Sequence, residues 1–273
     1  MQIHPTRKGL LATVLLVAAA LTAVVAGTTG PVAAAPATGA AATIGPGTVL
    51  VTAGRVCSAN FVFRDAQGRV YLGYAASCAT RQAVVAGNAC AAQSLPLGTQ
   101  VRLADRGRTL GYGELRYSSL RAMHRAGITD PATCATGDFA LVQVRGALRH
   151  RVDATMPYWG GPSGLGELPA AGTTVFGLTR PSTGARTLPR AGQVTTAAGG
   201  SATVTTPLAS GRSARGSGFL DDAGRAVGLI TASSADGDNT VVGLAAAVAF
   251  ASTHGVAGLH LVRGPGFSGA ASL

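Results

Sequence analysis

The chain has 273 residues, of which 47% are hydrophobic and 12% charged, so it can bury a packed core. Its 39 glycines and 13 prolines favour many short strands over long helices. Dispersed histidines and the lack of a C-x-x-C motif argue against a metal site. The net charge of +11 favours polyanionic partners, but the basic residues are scattered and also serve solubility; Arg145, Arg149 and Arg151 form the one modest cluster.

The N-terminus has the order of residues found in a secretory signal peptide. Arg7 and Lys8 precede an apolar run over 10–26, and small residues follow, with cleavage expected between Ala34 and Ala37. A membrane anchor is the alternative, because the apolar run reaches the short edge of a spanning helix. We predict a signal peptide at 1–37, a flexible leader at 38–47 and a secreted, extracellular protein.

From Thr48 onwards, strand-like segments alternate with turns. Alternating apolar and polar residues, and short apolar runs between turn formers, are typical of antiparallel strands. The strands predicted on this basis are 49–53, 59–63, 69–76, 99–103, 109–117, 139–144, 173–179, 193–197, 202–206, 218–221, 226–232 and 240–242. Alanine dominates 244–253, which is the one clear helix; Gly255 suits its C-cap, and a single helical turn is predicted at 120–126.

Two segments about 150 residues apart carry the same pattern. In 61–78 a Phe precedes a D-x-x-G turn, Arg69 and an apolar strand; in 210–233, Phe219 precedes a D-x-x-G turn, Arg225 and an apolar run. Turn formers between strand-like segments are typical of β-hairpins. The repetition indicates a duplicated architecture with one such hairpin in each half.

The residues around these hairpins resemble the secreted trypsin/chymotrypsin-like serine proteases of actinobacteria. In that family the first hairpin ends in A-[AG]-H-C, a later strand begins D-[FWI]-A-L-V, and the last hairpin begins G-D-S-G-S-[PA]-x-L-D. The corresponding segments here are 75–78 (AASC), 138–142 (DFALV) and 213–221 (SARGSGFLD). The resemblance implies an all-β fold of two antiparallel six-stranded β-barrels with a short C-terminal helix. The site of such a fold lies in the cleft between the barrels.

On this resemblance we expect the first barrel at 48–155, the second at 156–243, the C-terminal helix at 244–255 and a tail at 256–273. Four cysteines in an exported chain indicate two disulfides, for which three pairings exist. The resemblance selects Cys57–Cys78, tying together the two strands of the first hairpin, and Cys90–Cys134, holding a long loop before Asp138.

Two of the three catalytic positions that the resemblance implies hold residues unsuited to the chemistry. Ser77 stands in the position of the general base, but serine cannot accept a proton near neutral pH. Arg215 stands in the nucleophile position, and a permanently cationic guanidinium cannot attack a carbonyl. Only Asp138 is retained. We expect it to accept a hydrogen bond from Ser77, and Arg215 either to pair with it across the cleft or to point into solvent.

The loop before the nucleophile position is altered as well, because Ser213 and Ala214 replace Gly and Asp. Glycine reaches backbone conformations that serine does not, so this change affects the oxyanion loop. A register slipped by two residues is the alternative, and it would make Ser217 the nucleophile. None of His124, His150, His254 and His260 stands in a family position; the first, whose loop precedes Asp138, is the nearest substitute base.

Intact cysteines, turns and strands beside altered catalytic residues predict a catalytically inactive serine protease homologue that serves as a binding module. The alternative is an active extracellular serine endopeptidase that uses Ser217. The sequence indicates no cofactor. It leaves the partner open between a protein or peptide in the inter-barrel cleft and a polyanion. We expect a monomer that is not held in a membrane after signal cleavage, with a specificity pocket around 233–238 that the sequence does not define further.

Overall fold

The computed structural model describes residues 43–82, 84, 89–179, 187–207 and 211–269. The predicted signal peptide lies outside these residues, so secretion stays a prediction. No helix among the described residues has the length and apolar character needed to cross a membrane. The strands are β1 (Val49–Thr52), β2 (Arg55–Ser58), β3 (Val62–Arg64), β4 (Val70–Tyr74), β5 (Gln100–Asp105), β6 (Arg108–Ser118), β7 (Ala140–Val144), β8 (Gly164–Leu165), β9 (Thr174–Thr179), β10 (Leu188–Ala198), β11 (Ser201–Thr205), β12 (Gly218–Leu220), β13 (Arg225–Ser233), β14 (Asp238–Gly243) and β15 (His260–Leu261).

The strands of the described residues form two sheets; the first takes β15 from the C-terminal end of the chain in addition to β1–β7, and the second contains β8–β14. The first has the order β15-β3-β4-β7-β6-β5-β1-β2, and the second has the order β12-β9-β10-β11-β14-β13-β8. Pairing of β12 with β13 closes six strands of the second sheet into a barrel. Adjacent strands are antiparallel except β8, which runs parallel to β13. The predicted all-β architecture is therefore confirmed.

Within the described ranges, three α-helices accompany the sheets: α1 (Ser119–Arg125), α2 (Pro131–Thr136) and α3 (Leu244–His254). The first and last match the predicted helical turn and C-terminal helix to within one residue at each end. Gly255 caps α3, and its backbone N–H donates to the Ala251 carbonyl. A Cβ at Gly255 would lie 2.6 Å from the Tyr117 ring, so close packing requires glycine there.

The two predicted hairpins are present and share one hydrogen-bonding pattern. In the first, between β3 and β4, Asp65 Oδ1 accepts from the backbone N–H groups of Gln67 at 3.0 Å and Arg69 at 2.9 Å. Asp65 Oδ2 accepts from Arg69 Nε and from the Tyr71 hydroxyl, the latter at 2.7 Å. This buried carboxylate therefore holds the turn and the beginning of the return strand together.

The second hairpin, between β12 and β13, repeats the arrangement. Asp221 Oδ1 accepts from the backbone N–H groups of Ala223 at 3.1 Å and Arg225 at 2.8 Å, and Oδ2 accepts from Arg225 Nε at 2.7 Å. The D-x-x-G-R pattern thus encodes the same turn in both halves, because one aspartate satisfies backbone donors that the turn leaves open.

Both predicted disulfides are present, with Cα–Cα distances of 6.3 Å for Cys57–Cys78 and 5.1 Å for Cys90–Cys134. The predicted role of the first was wrong in one respect. Cys57 lies on β2, which pairs with β1, and Cys78 lies in a short 3₁₀ helix (Ala76–Ala79) after β4. The bond therefore ties the segment after the first hairpin to a neighbouring strand. The second disulfide joins a 3₁₀ helix (Ala89–Ala91) to α2, which precedes Asp138 as predicted.

Both ends of the described chain attach to the connection between the sheets. Ile44 is fully buried; its N–H donates to the Arg151 carbonyl at 2.8 Å and its carbonyl accepts from Asp153 N–H at 3.0 Å. The predicted flexible leader therefore does not extend through its last residues, because this apolar side chain belongs to the core.

The C-terminal residues form what we call the strap (256–269). It pairs with β3 through β15 and then crosses to the second sheet, where the Phe267 and Phe176 rings meet edge to face at 5.5 Å. On the way, Gly161 N–H donates to the Pro265 carbonyl at 2.7 Å and Ser268 N–H to the Trp159 carbonyl at 2.8 Å. The described part of the predicted tail, 256–269, is thus a packed part of the fold.

Candidate functional site

Ser77 and Asp138 meet at the edge of the first sheet that faces the second. Ser77 lies in the 3₁₀ helix that follows β4, and Asp138 lies between α2 and β7. The Ser77 backbone N–H donates to Asp138 Oδ1 at 2.6 Å, and its hydroxyl donates to Oδ2 at 2.9 Å. The hydrogen bond predicted between the two residues is present, and both oxygens of the carboxylate are engaged by one residue.

Burial dominates the electrostatics of Asp138. Desolvation raises the pKa of this carboxyl above its ordinary value, because a charged group loses its hydration inside the protein. The two hydrogen bonds from Ser77 and the positive charge of Arg215 oppose this effect without cancelling it. The two hydrogen bonds from Ser77 therefore hold the carboxylate in place, while burial disfavours its charged form.

Arg215 belongs to the loop between a 3₁₀ helix (Arg212–Ala214) and β12. The backbone of this loop is bound to the first sheet through Ser58, whose N–H donates to the Arg215 carbonyl at 2.9 Å and whose hydroxyl donates to the Ser213 carbonyl at 2.8 Å. Gly216 follows with φ +93°, and a Cβ there would collide with the Ser58 carbonyl oxygen. Only glycine allows this close approach of the two halves.

Ser77, Asp138 and Arg215 line one small cavity of about 60 Å³ between the two sheets. Thr231 and Thr240, on β13 and β14, face it from the second barrel. The sequence-predicted base, orienting and nucleophile positions are thus brought together at one point of the cleft.

The predicted ion pair between Arg215 and Asp138 is not formed. The ion pairs within the described residues are Arg69–Asp65, Arg106–Asp105, Arg145–Glu114 and Arg225–Asp221. The other alternative, a side chain fully in solvent, does not hold either, because Arg215 is half-buried against the cavity. The positive charge of Arg215 acts to lower the pKa of Asp138 without a direct contact, and Ser77 makes the hydrogen bonds to the carboxylate.

Ser217, the alternative nucleophile, lies deeper in the second barrel. It is 2% exposed and does not line the cavity. Its N–H donates to the Ala214 carbonyl at 2.9 Å, and its own carbonyl accepts from Ile230 N–H at 2.8 Å. The residue therefore continues the strand pairing of β12 with β13.

The candidate histidines lie away from this point. His124, His150, His254 and His260 are all exposed, and none lines the cavity that holds Asp138. His124 projects from α1 and lines a different cavity on the first barrel. An imidazole is therefore not placed at Asp138 by any of the described histidines.

Two features of the site were missed by sequence reasoning. Ser58 joins the first sheet to the Ser213–Arg215 loop, yet the sequence shows only a small polar residue beside a cysteine. Thr231 and Thr240 form a wall of the cavity, although the predicted pocket residues began at 233. A pattern of alternating residues identifies a strand but not which neighbour completes a cavity across the cleft.

We expect Asp138→Asn to retain the fold and to become more stable relative to the wild type as pH rises. The raised pKa means that the contribution of Asp138 to stability is full below its ordinary pKa of 3.8 and is lost as pH rises through the folded-state pKa. Asparagine keeps an acceptor for Ser77 N–H and carries no charge to desolvate. Urea unfolding between pH 3 and 8 measures the difference. Asp222→Asn, which removes an exposed charge, is the matched control.

A large destabilisation of Asp138→Asn at pH 7 would contradict this account. Such a result would mean that the ionised carboxylate is stabilised by its surroundings rather than disfavoured by burial.

Several solved structures share this fold. A Cellulomonas bogoriensis chymotrypsin is 14% identical, with a TM-score of 0.50, covering 80% of this chain and 98% of its own. A glutamic-acid-specific serine protease described as using a histidine triad in substrate binding is 15% identical, with a TM-score of 0.51, covering 80% of this chain and all of its own. A Glu endopeptidase is 15% identical, with a TM-score of 0.51, over 76% of this chain and 89% of its own. No protein-family model matches the sequence, and no curated protein is significantly similar to it. The likeness establishes the chymotrypsin-like fold.

Proposed function

We propose that this chain is an exported homologue of the trypsin/chymotrypsin-like serine proteases that has lost catalysis and retains its cleft for binding. One observation carries the proposal: Ser77 satisfies both oxygens of Asp138 at the point where a general base would have to stand. Hydrolysis by a serine needs a base within hydrogen-bond reach of the hydroxyl and a group that orients the base. Here the orienting group, Asp138, is already bound by Ser77, and Ser77 stands in the position of the base.

The nucleophile position supports the same conclusion. The pairing of β12 with β13 and the bond from Gly216 N–H to the Ile230 carbonyl at 2.7 Å agree with the register that puts Arg215 at that position. A slipped register would place the reacting hydroxyl on Ser217, which is buried away from Asp138. Arginine in that position supplies a fixed positive charge where an activated hydroxyl is needed.

The proposed ligand is an extended protein or peptide segment lying in the cleft. β12 pairs with β13 only as far as Leu229, and Ile230 bonds to the segment just before β12. Beyond it, Thr231 forms a bulge, and Ala232 and Ser233 pair with β14 on one side only within the described part of the chain; all three side chains are half-buried. An unpaired strand edge of this kind accepts an extended peptide through backbone hydrogen bonds.

The direct test is a fluorophosphonate probe, which labels activated serines without the need for a known substrate. We expect no labelling of the purified protein after circular dichroism has shown that it is folded. An active chymotrypsin labelled in parallel shows that the reagent is competent, and a Ser217→Ala variant gives the background.

Stoichiometric labelling of the wild type that disappears in Ser217→Ala would overturn the proposal. It would establish the alternative, an active endopeptidase with a serine two residues beyond the expected position.

A further inference from the structure

A second concave surface lies on the first barrel, outside the cleft. It consists of two open cavities of about 520 and 320 Å³ that share the wall formed by Ala92, Gln93 and Ser94. Arg81 lines the larger cavity, and Arg121 and Arg125 line the smaller one. We call these two adjoining cavities together the basic groove. Neither the Ser77–Asp138 site nor the proposed peptide edge belongs to it.

The basic side chains of the smaller cavity lie on one face of α1. Arg121, His124 and Arg125 stand at positions i, i+3 and i+4, which are neighbours on a helix surface. The opposite face of α1 is anchored in the core through Met123, which is fully buried. The three side chains therefore project together towards the cavity, and the core fixes the helix that carries them.

No negative charge balances the basic groove. Among the described residues that line the two cavities none is acidic, and the sequence has no Asp or Glu from 66 to 104 or from 115 to 129. Among the described ion pairs none involves Arg81, Arg121 or Arg125. The Nε of Arg121 is buried without a hydrogen-bond partner in the described structure. A buried donor of this kind is costly unless something accepts from it.

The arginine cluster predicted from the sequence, at 145–151, differs from the basic groove because two of its arginines have partners in the protein. Arg145 is paired with Glu114 at 3.2 Å, and Arg151 Nη1 donates to the Leu110 carbonyl at 3.0 Å. Both arginines therefore have partners within the protein. The basic residues at the two cavities, which take part in none of the described ion pairs, are scattered along the sequence, so the sequence did not show that they lie close together.

The walls of the basic groove are fixed by covalent and backbone bonds. The Cys90–Cys134 disulfide ties the loop before Ala92 to α2, and Cys90 also contacts Met123 of α1. On the other side, Leu95 N–H donates to the Ala79 carbonyl at 2.7 Å. The groove therefore exists before any ligand binds, which lowers the entropy lost on binding.

We propose that the basic groove binds a linear polyanion whose charged groups are sulfate or carboxylate on a non-aromatic backbone, that is, an acidic polysaccharide. The positive charge of the arginines favours an anionic ligand. The two adjoining cavities have room for a polymer chain rather than a single ion. No aromatic side chain is found among the described residues that line the two cavities, so these residues offer no surface on which nucleic-acid bases would stack.

Heparin serves as the probe, with binding measured by calorimetry and by salt elution from a heparin column. The groove variant is Arg81→Gln with Arg121→Gln and Arg125→Gln. The control is Arg64→Gln with Arg106→Gln and Arg108→Gln, which removes the same charge from exposed positions on the same barrel. Each arginine that neutralises an anionic group releases close to one counterion, so the groove variant should lower the slope of log K against log salt by roughly 2–3. We expect at least a tenfold weaker Kd for the groove variant at 0.15 M salt and a change of less than threefold for the control.

Equal losses in both variants would overturn the proposal, because net charge alone would then account for retention. Undiminished binding by the groove variant would overturn it as well. Elution of the protein from a single-stranded DNA column at higher salt than from the heparin column would refute the assignment to a non-aromatic polyanion.

Discussion

Replacing Asp65 with alanine is expected to lower the free energy of unfolding by about 2–4 kcal/mol, since a buried acceptor of four hydrogen bonds is lost. The Tyr71 hydroxyl is buried and would lose its partner, which accounts for much of the cost. Arg69 is 38% exposed, so solvent screening keeps the effect below that of a fully buried ion pair. Urea unfolding at pH 7 measures the change.

The effect should depend on pH in a defined direction. Burial raises the pKa of Asp65, but hydrogen bonds from Tyr71 and Arg69 outweigh it and lower the pKa to about 2. A depressed pKa means that the stabilisation is present above the ordinary value of 3.8 and is lost as pH falls through about 2. The wild type should therefore lose stability between about pH 4 and pH 2, and Asp65→Asn should lose less over the same interval.

Asp222→Ala is the control for this prediction, because Asp222 is the exposed neighbour of the equivalent residue in the second hairpin. A similar loss of stability in both variants would show that the Asp65 network contributes nothing specific.

The largest functional effect is expected from restoring a base and a nucleophile together. In Ser77→His with Arg215→Ser, the backbone N–H at position 77 still binds Asp138, and the cavity of about 60 Å³ beside it gives room for an imidazole. Removing the Arg215 side chain opens the same cavity further. We expect the double variant to react with a fluorophosphonate at the serine introduced at 215, at a rate at least 100-fold above the wild type.

Each single change should leave the rate at background, because the members of a catalytic unit act together and their effects are not additive. Adding Ser213→Gly should raise the rate further through the oxyanion loop, where a missing donor costs about 2.7–4 kcal/mol. Ala214→Asp is a poor addition, because Ala214 is fully buried in an apolar cluster with Val175 and Phe219. An unpaired carboxylate there would destabilise the fold. If the triple variant folds and its new serine still resists the probe, the proposed site is wrong.

The sequence predicted much of this fold because its signals are local. The two D-x-x-G-R turns, the alternating strands and the alanine-rich helix each depend on neighbouring residues, and all are present. The disulfide pairing depended on resemblance, since four cysteines alone leave three pairings open.

What the sequence did not predict involves residues far apart in the chain. Ser58 and the Ser213–Arg215 loop are about 155 residues apart and meet only across the cleft. Arg81 and Arg121 line neighbouring cavities because a disulfide ties one loop to α2, and Cys90 of that loop also contacts Met123 of α1. Neither contact leaves a local periodicity. The position of Arg215 relative to Asp138 also depended on tertiary packing, so the predicted ion pair was wrong although both residues lie at the same cavity.

The attachment of both chain ends to one connection has a mechanical consequence. Residues 151–162 join the two barrels and would be the natural hinge for opening the cleft. Ile44 bonds to this segment from one end of the described chain, and the strap bonds to it from the other through Gly161 and Trp159. Bending the hinge would break both sets of bonds at once. We therefore expect the cleft to resist opening at this segment, so that a partner fits its existing width instead of being enclosed by domain closure.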